Sequence, residues 1–387
     1  MEKSEIKTIA RKNRIIANII DEMLERDSFL LVGHKDPDTD CIAALASTAL
    51  LLRKLQKEAT IFLPGPVNEQ FSYLLAICKY NGITISYNGQ GPVPYGVSAV
   101  FILDTPKPAM ITQNEAVVEL LGDPAVRKIE IDHHLETDAE YAGDEGYRLV
   151  SSASSTCELI GILSYKIVKR LQTLDRKDFF TRNIALSLLT GLVGDSHMGK
   201  YLKTNKERRY YTLFTGIFDR LLIEKTLRNS RNIASMEDIF DEIRRFSVQE
   251  KKCYDELMAL KERSPSVTFV YLGKEKSEEL IARYGLEYLV NTSKAIADTL
   301  AEESGKLGFV SYYDDESVSD YIQFRLRRSS NFHTLDLRTV LTSFDIANGG
   351  GHPGAIGFRI RQGELPESRA YFLELVNRIE KLIEADR

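Results

Sequence analysis

Only six histidines occur in this chain of 387 residues, and four of them, His34, His133, His134 and His197, stand close to aspartates at the ends of expected strands or helices. The densest group is Asp132-His133-His134, which closes the run Val126–Ile131. The carboxyl ends of strands in an open α/β sheet are where ligand crevices form. Carboxylate oxygen with neutral imidazole nitrogen suits a divalent ion such as manganese, magnesium or zinc. Taken alone, the tripeptide reads equally well as one surface and one core histidine.

Other acids shift that balance. In His34-Lys35-Asp36-Pro37-Asp38-Thr39-Asp40 the proline forces a bend, and the alternating acids can project towards one point. The simpler alternative is an Asx-turn with a helix N-cap at Asp40. Asp104 ends the apolar run Val100–Leu103 and precedes Thr105-Pro106, so it is either an exposed ligand or a turn residue. Asp195 follows Gly191–Gly194, which reads as a break in a helix. Two divalent ions roughly 3.5–4 Å apart need about four carboxylates and two imidazoles, with one carboxylate shared between them. The sequence holds that complement. Such a pair lowers the pKa of a shared water, aims it at phosphorus and neutralises phosphate charge.

The elements that must position these residues follow from periodicity. Residues 5–26 read as an amphipathic helix. Ser28–Gly33, Ala59–Leu63, Ile83–Tyr87, Ala99–Asp104 and Val126–Asp132 read as strands, and Cys41–Leu55 and Val67–Tyr80 as helices. Continuous apolar strands alternating with helices predict a parallel sheet covered by helices on both faces. Ser151–Thr156 is a hydroxyl-rich run before the apolar helix Cys157–Leu171, and it can either cap that helix or face an anion. Phe179–Val193 reads as a further buried helix or helix pair. From 205 to 263 the pattern is helical and charged, which predicts a linker between residues 1–204 and a smaller α/β domain at 264–387. In that domain Leu335–Ala347 reads as a helix stopped at Asn348-Gly349. Gly349, Gly350 and Gly351, followed by His352, could instead present backbone N–H groups to a phosphate, with Arg327 and Arg328 adding charge-assisted bonds.

Composition narrows the class. With 43% hydrophobic and 28% charged residues, the chain is an ordinary globular protein. A net charge of −5 argues against a protein that lives on long nucleic acid. No apolar run approaches a membrane span or a secretion signal, and Cys41, Cys78, Cys157 and Cys253 are too scattered for a zinc cage. A cytoplasmic protein with reduced thiols and no membrane partner is expected.

In order along the chain, His34…Pro37-Asp38-Thr39-Asp40, Asp104-Thr105, Asp132-His133-His134 and Gly191…Asp195-Ser196 resemble the motifs of the DHH phosphoesterases. Phe324–Ser329 and Gly349–Gly357 resemble the DHHA1 module of the same superfamily. The arrangement is most similar to the nano-RNase/pAp phosphatase group. That resemblance implies a DHH domain, a helical linker and a DHHA1 domain. It assigns His34, Asp38 and Asp104 to one metal and Asp40, Asp104, His133 and Asp195 to the other, with Asp104 bridging. It gives His134 to the scissile phosphate or leaving oxygen and Asp132 to orienting the histidines. It assigns Arg327, Gly349–Gly351 and His352 to substrate. Two ions, by family habit manganese, and a short oligonucleotide or nucleotide substrate are implied, and a homodimer is admitted.

The departures are local. Thr39 stands where the family usually has glycine. Asp195-Ser196-His197 stands where it usually has Asp-Thr-Gly, and the extra His197 reads best as an exposed side chain. Cys41 reads as a small packed helix residue. Competing activities are hydrolysis of cyclic dinucleotides, of pyrophosphate or polyphosphate, or of single-stranded DNA as in RecJ-like exonucleases. A pocket that binds a nucleotide without cleaving it is the non-enzymatic alternative.

Overall fold

The computed structural model describes the chain except for residues 1, 89–95, 136–138, 172–175, 203, 228–231 and 386–387, and except for the side chains at 176, 177, 352 and 385. Residues Met1–Arg245 make one unit and Phe246–Arg387 a second.

In the first unit the order is α1 (Ile9–Glu25), β1 (Ser28–Val32), α2 (Thr39–Lys54), β2 (Glu58–Leu63), α3 (Ser72–Tyr80), β3 (Thr84–Tyr87), β4 (Ala99–Leu103), α4 (Glu115–Gly122), β5 (Arg127–Asp132), β6 (Arg148–Val150), α5 (Thr156–Leu171), α6 (Arg176–Phe179), α7 (Arg182–Ser196), α8 (Asn205–Lys225) and α9 (Met236–Ile243). The six strands lie in the order β3-β2-β1-β4-β5-β6, all parallel. The chain winds outward from β1 in one direction and from β4 in the other, so the crevice between their carboxyl ends is the topological switch point. Alternate residues of each strand feed opposite cores. Phe29, Leu31, Phe101, Ile129 and Ile131 pack with α1, α2, α5 and α7. Leu30, Val32, Val100 and Ile102 pack with Val117 of α4 on the other face. The expected helical cover on both faces is present, and it is heavy on one side.

Three boundaries differ from the sequence reading. The first helix begins only at Ile9, because Thr8 caps it by accepting from Arg11 N–H. The residues before it are extended. Gly191 and Gly194 do not break α7, which runs on to Ser196. The supposed linker is not a separate segment. Phe214, Phe218, Leu222, Ile239 and Ile243 of α8 and α9 join the first core.

The second unit begins with α10 (Val248–Met258), followed by β7 (Glu262–Arg263), β8 (Val267–Tyr271), α11 (Lys274–Tyr284), α12 (Leu286–Ser304), β9 (Leu307–Tyr313), β10 (Tyr321–Arg328), α13 (Arg338–Ser343), β11 (Gly349–His352), β12 (Ala355–Arg361) and α14 (Ser368–Ala385). Its sheet runs β11-β12-β10-β9-β8-β7, antiparallel except for the β8–β9 pair. Cys253 and Leu257 of α10 pack with Val270, Val310 and Ile296 on one face. Phe309, Phe324, Phe358 and Phe372 fill the other. The helix expected over Leu335–Ala347 shrinks to α13, and Gly349–His352 is an edge strand instead of a helix stop. Asp345 ends the helix with a left-handed φ of 53°. Glycine is required in β11, since a Cβ on Gly351 would stand 2.2 Å from the Ala355 carbonyl oxygen and φ there is +141°.

Gly308 of β9 lies under α12, and a Cβ there would meet Ala297 O at 2.0 Å and Ala301 N at 2.4 Å. Gly308→Ala should therefore destabilise the second unit by about 1–3 kcal/mol through overpacking. Urea denaturation followed by tyrosine fluorescence checks this, and an unchanged midpoint would contradict the packing.

Candidate metal centre

The residues singled out in the first unit gather where three parallel strands end. His34 follows β1, Asp104 follows β4, and Asp132 with His133 and His134 comes at the end of β5. Asp38 and Asp40 come from the start of α2 and Asp195 from the last turn of α7.

Asp104 is at the middle of the group. Its carboxylate oxygens lie 3.9 Å from His34 Nε2, 3.5 Å from His133 Nε2 and 3.7 Å from His134 Nδ1. Its backbone has φ of 51°, a left-handed conformation that aspartate tolerates better than most residues. Asp104 N–H donates to Ile131 O and Thr156 Oγ1 donates to Asp104 Oδ1 at 2.8 Å, so the strained turn is held from both sides. His133 Nε2 also lies 3.6 Å from Asp195, and His34 Nε2 lies 3.8 Å from Asp38.

Three donor groups emerge, each with its atoms within 4.8 Å of one another: His34, Cys41 and Asp104; Asp104, His133 and His134; and Asp40, His133 and Asp195. Asp104 and His133 are each in two of them. The arrangement brings every expected ligand of the first unit into one cluster. Cys41 is fully buried, and burial with the nearby Asp104 and Asp38 charges pushes its thiol well up, so it is a neutral packing group.

Local structure explains the close approach. Asp38, not Asp40, caps α2, accepting from Cys41 N–H at 3.1 Å. Asp40 turns instead to the start of α5. Thr156 N–H donates to Asp40 Oδ2 at 2.5 Å and Cys157 N–H to Oδ1 at 3.2 Å. The anion at that helix N-terminus is thus a side chain of the protein, and the helix dipole favours its charge. Ser155 Oγ accepts from Glu158 N–H, so the hydroxyl run caps the helix while its N–H groups hold an anion. The glycines of α7 serve packing: a Cβ on Gly191 would stand 2.3 Å from Asp40 Oδ1, and one on Gly194 would stand 2.4 Å from Thr39 Cγ2. Gly194 makes the room that Thr39 occupies.

The electrostatics are those of crowded acids. Burial, then the charges of Asp104 and Asp195, push Asp40 well above the carboxylate range. Burial and Asp38 lift Asp104 to about 6. Burial by itself would depress His133, but Asp195, Asp104 and Asp40 outweigh it and raise the imidazole to about 10. Burial opposes ionisation of Asp132 as well, yet the hydrogen bond from His134 and the Lys3 charge hold it well below its usual range. Carboxylates this close, with oxygen and imidazole donors facing one another, fit a divalent cation, which would relieve their repulsion.

Asp132 acts from behind. His134 Nδ1 donates to Asp132 Oδ1 at 2.8 Å, which turns Nε2 away from Asp132. Lys3 reaches the other oxygen of Asp132 and was invisible to motif reasoning, since nothing in its neighbourhood has ligand spacing. His197 is not an exposed side chain. It is half-buried in a left-handed turn at the end of α7, its ring packed on Tyr201 at 5.1 Å and edge-on to Phe240 at 5.6 Å.

In the second unit Arg327 lies on β10 and the glycines on β11, with β12 between them, Arg327 pairing with Ala355 and Gly350 with Gly357. Arg327 Nη1 donates to Leu326 O and Ile356 O, each at 3.1 Å, and Arg328 Nη1 donates to Leu335 O. His352 belongs to β11, and its side chain lies outside the described residues.

The pKa shifts fix a sign. Asp104 titrates at about 6 when folded and near 3.8 when unfolded, so its contribution falls as pH rises from 4 to 6. His133 titrates at about 10 when folded and near 6.5 when unfolded, so its stabilisation is full below 6.5 and lost as pH rises through 10. A bound cation displaces these protons. The gain in Tm on adding manganese to metal-free protein should therefore grow steadily between pH 5 and 9. Paired scanning calorimetry with and without manganese reads this, and a pH-independent gain would contradict it.

Residues 28–192 match the DHH family, N-terminal domain. The "Probable manganese-dependent inorganic pyrophosphatase" of Streptococcus suis is 30% identical over 171 residues, which cover 43% of this chain and 48% of that protein, so the chain spans about half the length of that curated relative. The crystal structure of an exopolyphosphatase-related protein from Bacteroides fragilis superposes with a TM-score of 0.62 at 17% identity, covering 99% of this chain and all of that one, which is a likeness of fold. Among the described residues no helix is long and apolar enough to cross a membrane. Motif order, fold and sequence match point the same way over residues 28–192, the stretch that matches the DHH family, N-terminal domain.

Proposed function

We propose that the protein is a manganese-dependent phosphoesterase that hydrolyses short nucleotides, namely dinucleotides, very short RNAs and pAp, in the cytoplasm. The observation that carries this reading is the sharing of Asp104 between donor groups at the carboxyl ends of β1, β4 and β5. His34, Asp38 and Asp104 would hold one ion, and Asp40, Asp104, His133 and Asp195 the other. When bound, the two ions would supply a water of lowered pKa and neutralise charge on the phosphate oxygens. The protein's own groups do the rest. In its charged form His134 presents Nε2–H to the scissile phosphate or the leaving oxygen, its Nδ1–H being committed to Asp132, whose hydrogen bond favours that form. Thr156 and the α5 N-terminus keep Asp104 and Asp40 in place. The second unit would bind the nucleotide itself through those backbone N–H groups of Gly349–Gly351 that pairing with β12 leaves outward, His352 and the remaining donors of Arg327. A Cβ on Gly350 would meet nothing within 4 Å, so a ligand can approach that backbone closely.

A second reading is hydrolysis of inorganic pyrophosphate or polyphosphate. It is favoured by the 30% match to the Streptococcus suis protein. One panel separates the two: wild-type protein with manganese and pAp, pApA, a cyclic dinucleotide, pyrophosphate and tripolyphosphate, with products resolved by ion-exchange chromatography. Turnover of pAp or pApA at least tenfold faster than of pyrophosphate supports the nucleotide reading, and the reverse order supports the second.

Asp104→Ala should abolish hydrolysis and lower bound manganese, measured by elemental analysis after gel filtration. Normal metal content with normal turnover would sink the shared-ligand assignment. His134→Ala should keep its metal while kcat falls sharply. Loss of one equivalent of metal would mean that His133 and His134 have been given each other's roles.

His352→Ala should raise KM for pAp and pApA and spare bis-p-nitrophenyl phosphate, which is too small to need a remote grip. Equal losses on both substrates would show that His352 does not serve nucleotide recognition.

A further inference from the structure

The segment before α1 carries a lysine that the metal centre depends on. Residues Glu2 to Glu5 run extended beside the stretch Ala139–Tyr141. Glu2 bridges Glu140, Lys3 N–H donates to Ala139 O at 2.8 Å, and Ser4 N–H donates to Tyr141 Oη at 3.0 Å. Glu5 accepts from Ser151 Oγ at 2.8 Å and from Ser152 N–H at 2.5 Å, next to the run that leads into α5. The segment thus binds the stretches that follow both β5 and β6.

The Lys3 side chain passes beneath this strap and is completely buried. Its ammonium group donates to Asp132 Oδ2 at 2.5 Å and to Thr105 O at 2.6 Å, and it forms an ion pair with Glu130 Oε1 at 2.9 Å. Thr105 directly follows the shared ligand Asp104, and Asp132 carries His134 on its other oxygen. Glu130 is held separately by the N–H groups of Ala142 and Gly143. One cation thus ties the end of β4 to the end of β5 and fixes which oxygen of Asp132 faces His134. A buried carboxylate with one oxygen unbound could rotate; with Lys3 in place it cannot without losing a charge-assisted bond.

We propose that Lys3 is a positioning residue of the phosphoesterase site, acting through Asp132 to hold His134 in one tautomer and one orientation. This rests on the phosphoesterase reading above, and the N-terminal strap is then part of the active site although it contributes no ligand and touches no substrate.

Wild type, Lys3→Met, Asp132→Asn and the double variant are compared with manganese and bis-p-nitrophenyl phosphate. Lys3→Met should lower kcat about 10- to 100-fold, the range for a lost partner of a site histidine, with KM and bound manganese within about twofold of wild type. The double variant should be no slower than Asp132→Asn by more than about twofold, because both changes cut the same chain of contacts. Wild-type kcat in Lys3→Met, or penalties that multiply in the double variant, would overturn the inference. Two buried carboxylates without their cation can prevent folding, so Lys3→Met/Glu130→Gln is prepared as well. Low kcat in that folded protein supports the role, and full activity, or failure of both variants to fold, reduces Lys3 to a structural ion pair. A second readout needs no turnover. In metal-free protein labelled with ¹⁵N-histidine, at a pH high enough for the ring to be neutral, His134 should show a single Nδ1–H tautomer in wild type and a mixture in Lys3→Met. If wild type cleaves no phosphorylated substrate, the phosphoesterase reading fails, and this spectrum alone decides: an unchanged His134 signature in Lys3→Met would overturn the positioning role.

Discussion

The structure of the first unit is governed by a repulsion. Asp40 and Asp104 are buried at the carboxyl end of one sheet, with Asp38 and Asp195 close enough to raise the cost of ionising them. Isolated carboxylates would not persist there without protons or a counter-charge. The fold answers with imidazoles set between the acids, with the N-terminus of α5 against Asp40, and with Thr156 against Asp104. What remains uncompensated is the charge that a divalent cation carries. The same repulsion that taxes the metal-free protein is the affinity of the site for metal.

Close approach is what the surrounding elements provide. Gly191 and Gly194 let α7 come against α2 and α5 near the residues that bear Thr39, Asp40 and Cys157. Gly33 does the same at the end of β1, where a Cβ would collide with Cys41 Sγ at 2.2 Å. The left-handed backbone at Asp104 is the local strain accepted for putting one carboxylate between His34 and His133. Behind this layer Asp132 and Lys3 are paired with each other and buried, so they can fix orientation without competing for the cation.

Much of this was legible in the chain. The parallel strands are continuous apolar runs, and the site residues fall just beyond their ends, so Asp104, Asp132, His133 and His134 could be placed without coordinates. The helix boundaries were less legible because glycine has two meanings. In α7 it marks close packing, and in β11 it marks a crowded sheet edge, whereas local propensity reads both as interruptions. The cap of α2 fell at Asp38 because the acid with the free helix start nearest to it was that one, and Asp40 found a better partner in α5. Lys3 left no trace in the sequence, since its three partners lie more than a hundred residues away. The helices between the units were legible as helices, but which core each one joins is decided by tertiary packing of Phe214, Phe218 and Ile239 on one side and Cys253 and Leu257 on the other.

The central claim is that the cluster holds two cations that share Asp104. Electron paramagnetic resonance of the protein, titrated with manganese at pH 8, tests it directly. Two ions about 3.5–4 Å apart are exchange-coupled. The account predicts a coupled dinuclear spectrum that grows in as the second equivalent is added and collapses to an isolated-ion signal in Asp104→Ala. A wild-type spectrum of one isolated ion that persists through saturation would contradict it.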